Sequence, residues 1–237
     1  MADYPLCIDI SHHNTVQSFD QVSEAGIIGV IHKATEGSSF SDADYWTNRD
    51  AAHAAGLEWA SYHFLKHGNV AAQIDNFLSI VDPDDGERVV IDYEDEKATL
   101  EDLRAAITEI RSARPDLEIT VYSGHLLKEH LGGDYDPILA TTSLWIAHYT
   151  DEPQPTWPYG TWPVWTLWQF TDGAKVPGMA PPTDLNRFNG SEENFRLWFN
   201  PQALAPEPAP TDQIVTINIK VPEGISVMVF VNGEPQI

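Results

Sequence analysis

The sequence predicts a closed α/β barrel with a short β-hairpin appendage at its C-terminal end. Three observations predict it. Strand-like runs rich in aliphatic and β-branched residues alternate with helix-like segments, the pattern of a parallel sheet covered by helices. Some of these runs, such as Val89-Val90-Ile91, are apolar on both faces, which marks strands buried on both sides. Eight such runs fall within about the first 200 of 237 residues, a density that suits ring closure with the last helices lost.

Taken in order, the first strand is read at 5–10 and a short helix at 18–25, stopped by Gly26. The second strand runs over 27–33, and a helix at 43–55 ends at Gly56 before a third strand, Glu58–Phe64. Apolar residues at 70, 74, 77, 78 and 81 give Val70–Val81 a helical period. The fourth strand spans 88–94 and ends in Asp92 and Glu94. Their i, i+2 spacing puts both carboxylates on one face, with Val90. Thr99 is the expected N-cap of a helix reaching 113, with Asp102 three residues on. A fifth strand at Glu118–Ser123, a helix at 124–131 and a sixth strand at 143–149 follow. The pattern then changes. Residues 151–163 are rich in Pro and Trp; two strands, 164–170 and Thr183–Phe188, and a helix at 191–199 complete a domain assigned to residues 1–200.

Residues 201–212 contain Pro201, Pro206, Pro208 and Pro210 and read as a semi-rigid linker. Residues 213–237 read as a small β tail, with strands at 213–221 and 225–231 joined by Pro222-Glu223-Gly224. Two strands are marginal alone, so this tail is expected to pack or self-associate.

Composition narrows the function. Net charge is −23, from 36 acidic against 13 basic residues, which argues against nucleic acid and against anionic lipid as partners. No apolar run approaches membrane-spanning length, so no membrane span is expected, and the N-terminus lacks a signal-peptide pattern. The single cysteine, Cys7, is expected to be a buried core thiol.

In such barrels chemistry sits where strands end. The ends collected here are Asp9, Lys33, Glu36, His63, Asp92, Glu94, Tyr122, His148, Tyr149, Gln169 and Asp184. Paired carboxylates in a cleft are what glycoside hydrolysis requires. Glu94 is the candidate general acid, with the charge of Asp92 raising its pKa. Asp9 and Asp184, from strands that adjoin in a closed ring, face the pair from the opposite side. Lys33 is the candidate balancing cation. Tyr62, Tyr122, Tyr149 and Trp168 are candidate sugar platforms, with His63 and Glu36 as polar lining. Trp157, Trp162 and Trp165 are read as packing. No His/His/acid spacing of a metal site occurs, so no metal is expected.

Seven of these segments together resemble one family. They are Asp9-Ile10-Ser11-His12, Lys33-Ala34-Thr35-Glu36-Gly37, Tyr62-His63-Phe64, Asp92-Tyr93-Glu94, Trp145-Ile146-Ala147-His148-Tyr149, Trp168-Gln169-Phe170 and Asp184-Leu185-Asn186-Arg187-Phe188. In order and spacing, from about residue 5 to 199, the chain resembles glycoside hydrolase family 25, the Chalaropsis-type lysozymes. The resemblance implies a modified TIM-like barrel of five β/α units plus three further strands. It implies hydrolysis of the β-1,4 bond between N-acetylmuramic acid and N-acetylglucosamine in peptidoglycan, without metal or organic cofactor. It implies action on the bacterial cell wall, as a phage endolysin released from the host or as a secreted enzyme. Asp92 would then orient the substrate's 2-acetamido group for attack on the anomeric carbon, an inverting route through water being the alternative. A chitinase-like hydrolase and a non-catalytic glycan-binding barrel are the competing readings. The first lacks the longer acidic run of chitinases, and the second should have lost one acid of the pair.

Overall fold

The computed structural model describes residues 4–201, 229–231 and 234–236. The chain divides into two compact units, Met1–Leu204 and Ala205–Ile237. In the first unit β1 (Leu6–Ile10) pairs in parallel with β2 (Ile27–Glu36), and β3 (Phe40–Ser41) lies antiparallel on the end of β2. The ring continues through β4 (Glu58–Phe64), β5 (Arg88–Asp92), β6 (Glu118–Ser123), β7 (Ser143–Ala147), β8 (Leu167–Ala174) and β9 (Thr183–Phe188), which pairs back with β1. This is a closed eight-stranded barrel with one extra strand. Helices α1 (Phe19–Glu24), α2 (Tyr45–Ala54), α3 (Val70–Val81), α4 (Leu100–Ala113) and α5 (His125–Leu131) complete five β/α units. The last three strands follow one another without helices, and α6 (Glu192–Phe199) ends the unit.

Local chemistry starts these helices. Ser18 accepts from the Gln21 N–H ahead of α1, and Ser191 accepts from Asn194 ahead of α6. Thr99 and Asp102 form a reciprocal capping box at α4. Strand alternation sorts the core into two layers. On β5, Val89 and Ile91 pack outward under the helices. Val90 points inward with Cys7, Ile31, Ala60, Tyr122 and Trp145.

The amino end of the barrel is plugged. Phe195, Trp198 and Phe199 of α6 join the inner layer. Buried Arg88 donates to the Trp198 carbonyl at 2.5 Å and to Thr120 Oγ1 and Ser143 Oγ, each at 3.2 Å. Its guanidinium lies 4.7 Å from the Trp198 ring centroid. Burial lowers the Arg88 pKa to about 10, which leaves it charged at neutral pH. The plug also fixes Gly29, where a Cβ would lie 2.6 Å from the Phe199 ring and 3.0 Å from the Glu58 carbonyl oxygen. Gly29→Ala is therefore expected to destabilise the fold by about 1–3 kcal/mol, lowering the thermal midpoint by about 2–4 °C per kcal/mol. An unchanged midpoint in a thermal melt would show that α6 gives way freely.

The differences from the sequence reading are local. β5 stops at Asp92, and just past it Tyr93 N–H still bonds the Tyr122 carbonyl at 2.8 Å. Glu94 therefore lies beyond the strand rather than on it. The seventh ring strand is Leu167–Ala174 rather than 164–170, and the sixth ends at Ala147. The largest correction is direction. β9 runs antiparallel to both β8 and β1, so Asp184 lies near the start of its strand. That start shares a rim with the carboxyl ends of the parallel strands.

In the second unit β10 (Val229–Val231) pairs antiparallel with β11 (Glu234–Gln236). Of the strand expected at 225–231, the described residues 229–231 pair with Glu234–Gln236. Asn232-Gly233, the dipeptide between the two strands in sequence, is a favoured hairpin-turn pair. Of the linker expected at 201–212 only Pro201 is described, and the strand expected at 213–221 lies outside the described residues.

Candidate active site

At the rim opposite this plug lies a cleft of about 470 Å³. Its walls include Asp9 on β1, Lys33 on β2, Tyr62 on β4, Asp92 on β5, Glu94 just beyond, Tyr122 on β6, Tyr149 just beyond β7, and Asp184 on β9. Asp9 and Asp184 are direct ladder partners.

Three sequence candidates lie elsewhere. His63 is fully buried on the helix side, its ring contacting Thr35 Oγ1 at 2.8 Å and Gln73 Oε1 at 3.2 Å, beside Phe77. Trp168 is 1% exposed in the outer layer. It donates to the His148 carbonyl at 2.7 Å and carries the Arg187 guanidinium over its ring. Both corrections have one cause. Successive strand residues face opposite sides, so Tyr62 and Gln169 take the cleft and His63 and Trp168 the core. Glu36 is outside the cleft wall and acts through Lys33, whose Nζ it holds at 2.5 Å. His148 is also absent from the cleft; its Nδ1 accepts from the Thr156 N–H at 3.1 Å.

Gln169, collected from the sequence among the strand ends, lines the cleft. Ser11, His13, Phe64, Trp145 and Asp172 line it as well, and the sequence reading gave them no site role. Alternation on the strand carrying Tyr62 would have selected Phe64. Nothing in the sequence marks Asp172.

Burial and charge set the protonation pattern. Asp9 receives Gln169 Nε2 on both oxygens, at 3.1 and 3.0 Å, and Asn186 Nδ2 on Oδ2 at 2.7 Å. Burial pushes its pKa up while these donors pull it down. Asp184 is pushed up to about 8, first by burial, then by the Asp9 charge and its hydrogen bond to Asp9. The proton of this pair therefore rests on Asp184, donated to Asp9. Burial also raises Glu94, followed by the Asp9 charge, and not principally Asp92 as the sequence suggests. Asp92 is raised well above the carboxylate range by burial and then by Glu94, against the pull of Lys33. Its Oδ1 is buried without a hydrogen-bond partner, an unusual state for a carboxyl oxygen. Gly124 packs beside Glu94: a Cβ there would meet Glu94 Oε1 at 3.6 Å and the Ala147 Cβ at 3.7 Å.

Comparison with known proteins adds four findings. A model of the glycosyl hydrolases family 25 matches residues 8–179. Lysozyme M1 of Streptomyces globisporus is 28% identical over 200 residues, covering 78% of this chain and 67% of that protein. The autolytic lysozyme of Clostridium acetobutylicum is 24% identical over 188 residues, covering 77% of this chain but 55% of its own length. The crystal structure of a bacterial lysozyme from Streptomyces coelicolor superposes with a TM-score of 0.72 at 25% identity, covering 85% of this chain and 99% of that one.

Proposed function

The chain belongs to the glycosyl hydrolases of family 25, and from that premise we propose that it is a peptidoglycan lysozyme. The bond cleaved is the β-1,4 link between N-acetylmuramic acid and N-acetylglucosamine, with Glu94 as general acid. One observation carries the assignment of roles: Asp9, Asp92, Glu94 and Asp184 converge from three strands and the segment after β5 on a single cleft.

A glycosidic oxygen leaves as an alcohol only if it receives a proton, so the acid must hold one at working pH. Burial raises Glu94 toward that state. The resting Asp92–Glu94 pair strongly favours a shared proton, because two buried carboxylates repel. Asp92 lines the cleft, and an amide N–H of the substrate supplies the donor that its buried Oδ1 lacks once the carboxyl turns toward the cleft. Such a bond favours ionised Asp92 and moves the pair's proton to Glu94. The same contact orients the 2-acetamido group, so its oxygen attacks the anomeric carbon while Glu94 protonates the leaving oxygen. Asp92 then offsets the positive charge formed on the acetamido ring. Water, deprotonated by Glu94, opens that ring.

The place of action is the bacterial cell wall; release as a phage endolysin and secretion both deliver the enzyme there. Mass analysis of digested peptidoglycan tests the reading. N-acetylmuramic acid at the new reducing ends is the expected result. N-acetylglucosamine ends, or digestion of chitin in preference to peptidoglycan, would overturn it.

A further inference from the structure

Gln169 has no role in the steps above, yet its side chain is buried and hydrogen-bonded at both ends. Its Nε2 donates to both oxygens of Asp9, at 3.1 and 3.0 Å. Its Oε1 accepts from the hydroxyls of Tyr122 at 2.8 Å and Tyr149 at 2.7 Å. The partners decide the orientation of the amide: flipped, it would set a carbonyl oxygen against a carboxylate. Asn186 is locked in the same sense on the other side of Asp9. Trp145 Nε1 donates to its Oδ1 at 2.7 Å, which leaves Nδ2 for Asp9.

An amide oxygen accepts only, so both tyrosine protons are committed to it. Each tyrosine oxygen then presents lone pairs alone to the cleft that both residues line. Resting on the glycan-hydrolase reading, we infer that Gln169 is a positioning residue that makes Tyr122 and Tyr149 hydrogen-bond acceptors toward the substrate. This wall of the cleft selects a group that donates, an amide N–H or a sugar hydroxyl, and disfavours a carbonyl or carboxylate. Tyr149, 51% exposed against 7% for Tyr122, makes the greater part of that contact.

The test measures kcat and KM on soluble peptidoglycan oligosaccharides. Gln169→Met keeps side-chain length without hydrogen bonds and is expected to raise KM about 10-fold, with kcat changed less than about 3-fold. Tyr149→Phe raises KM as well. The double variant is expected to be no worse than Gln169→Met alone, because the hydroxyl has already lost its set polarity. Effects that multiply independently, or an unchanged KM in Gln169→Met, overturn the inference.

Gln169→Glu adds a pH readout and serves alone if the methionine variant does not fold. A protonated carboxyl there donates to Asp9 and accepts from both tyrosines, reproducing the native pattern. The groups facing it are Asp9 on β1, Asp184 on β9, Asp172 on its own strand, the two tyrosines, and Asp92 and Glu94 across the cleft. Lys33, held by Glu36, is the opposing cation. This surplus of acids keeps the introduced carboxyl protonated in acid solution. Its KM should then match the wild type at low pH and climb as pH rises; a KM that tracks the wild type at every pH sinks the inference. Failure of the wild type to release any reducing sugar from peptidoglycan refutes the lysozyme reading itself, a distinct result.

Discussion

Glu94→Gln is expected to lower turnover of purified peptidoglycan by about 10²–10⁴-fold, the usual contribution of a positioned acid. The amide keeps the size of the carboxyl and loses the proton to be transferred. Because the proton moves only as the bond breaks, the loss should fall on kcat, with KM little changed. Stability should hold or rise, since the change removes one member of a crowded carboxyl cluster whose pKa values are raised together. A melt at or above the wild-type temperature thus separates lost chemistry from lost fold. Asp92→Asn is the necessary companion. Asp92 is the more deeply buried acid, 5% exposed, and Glu94 is a leading cause of its raised pKa. If Asp92 were the donor instead, the asparagine variant would be the dead one and Glu94→Gln would retain most activity. That pattern would falsify the assignment of roles within the pair.

The fold was legible because the sequence states its local rules plainly. Thr99 and Asp102 announce the start of α4, Gly26 and Gly56 stop α1 and α2, and Val89-Val90-Ile91 can only be buried on both faces. The errors have equally local causes. β3 has two residues, too few to show a period. The reversal of β9 is not written in its composition. It follows from β8 reaching Ala174, which leaves residues 175–182 as the connection. That is shorter than the dozen or so residues a parallel crossover needs. Within the site, strand-end acids were found because a carboxylate at the end of an apolar strand has few structural uses. His63 and Trp168 were misplaced because whole motifs were assigned to the cleft when alternation admits every second residue. Of the two amides that clamp Asp9, Gln169 is among the strand ends legible in the sequence, while Asn186 sits on the correct parity but carries no charge to draw attention.

Asp184→Asn is expected to stabilise the protein, and by more as pH rises. The Asp184 carboxyl holds its proton up to about pH 8 in the folded chain but only to about 3.9 when unfolded. Between those values the unfolded chain binds fewer protons, so its contribution to stability is complete below about pH 4 and is lost progressively toward pH 8. The cause is physical crowding: Asp184 is hydrogen-bonded to Asp9 and faces the charges of Asp172 and Glu94. An amide at this position supplies the same hydrogen bond to Asp9 through its N–H and never ionises. The variant and the wild type should therefore melt together near pH 4. Their midpoints should part as pH rises and run parallel above about pH 8. Discounted for the partial exposure of the side chain, the gain at the plateau is on the order of 1–3 kcal/mol, or about 2–4 °C of melting temperature per kcal/mol. A constant offset across pH would mean that Asp184 ionises normally and that the Asp9–Asp184 pair shares no proton. A widening gap would show that the Asp9–Asp184 pair shares one proton and that the folded cleft resists losing it.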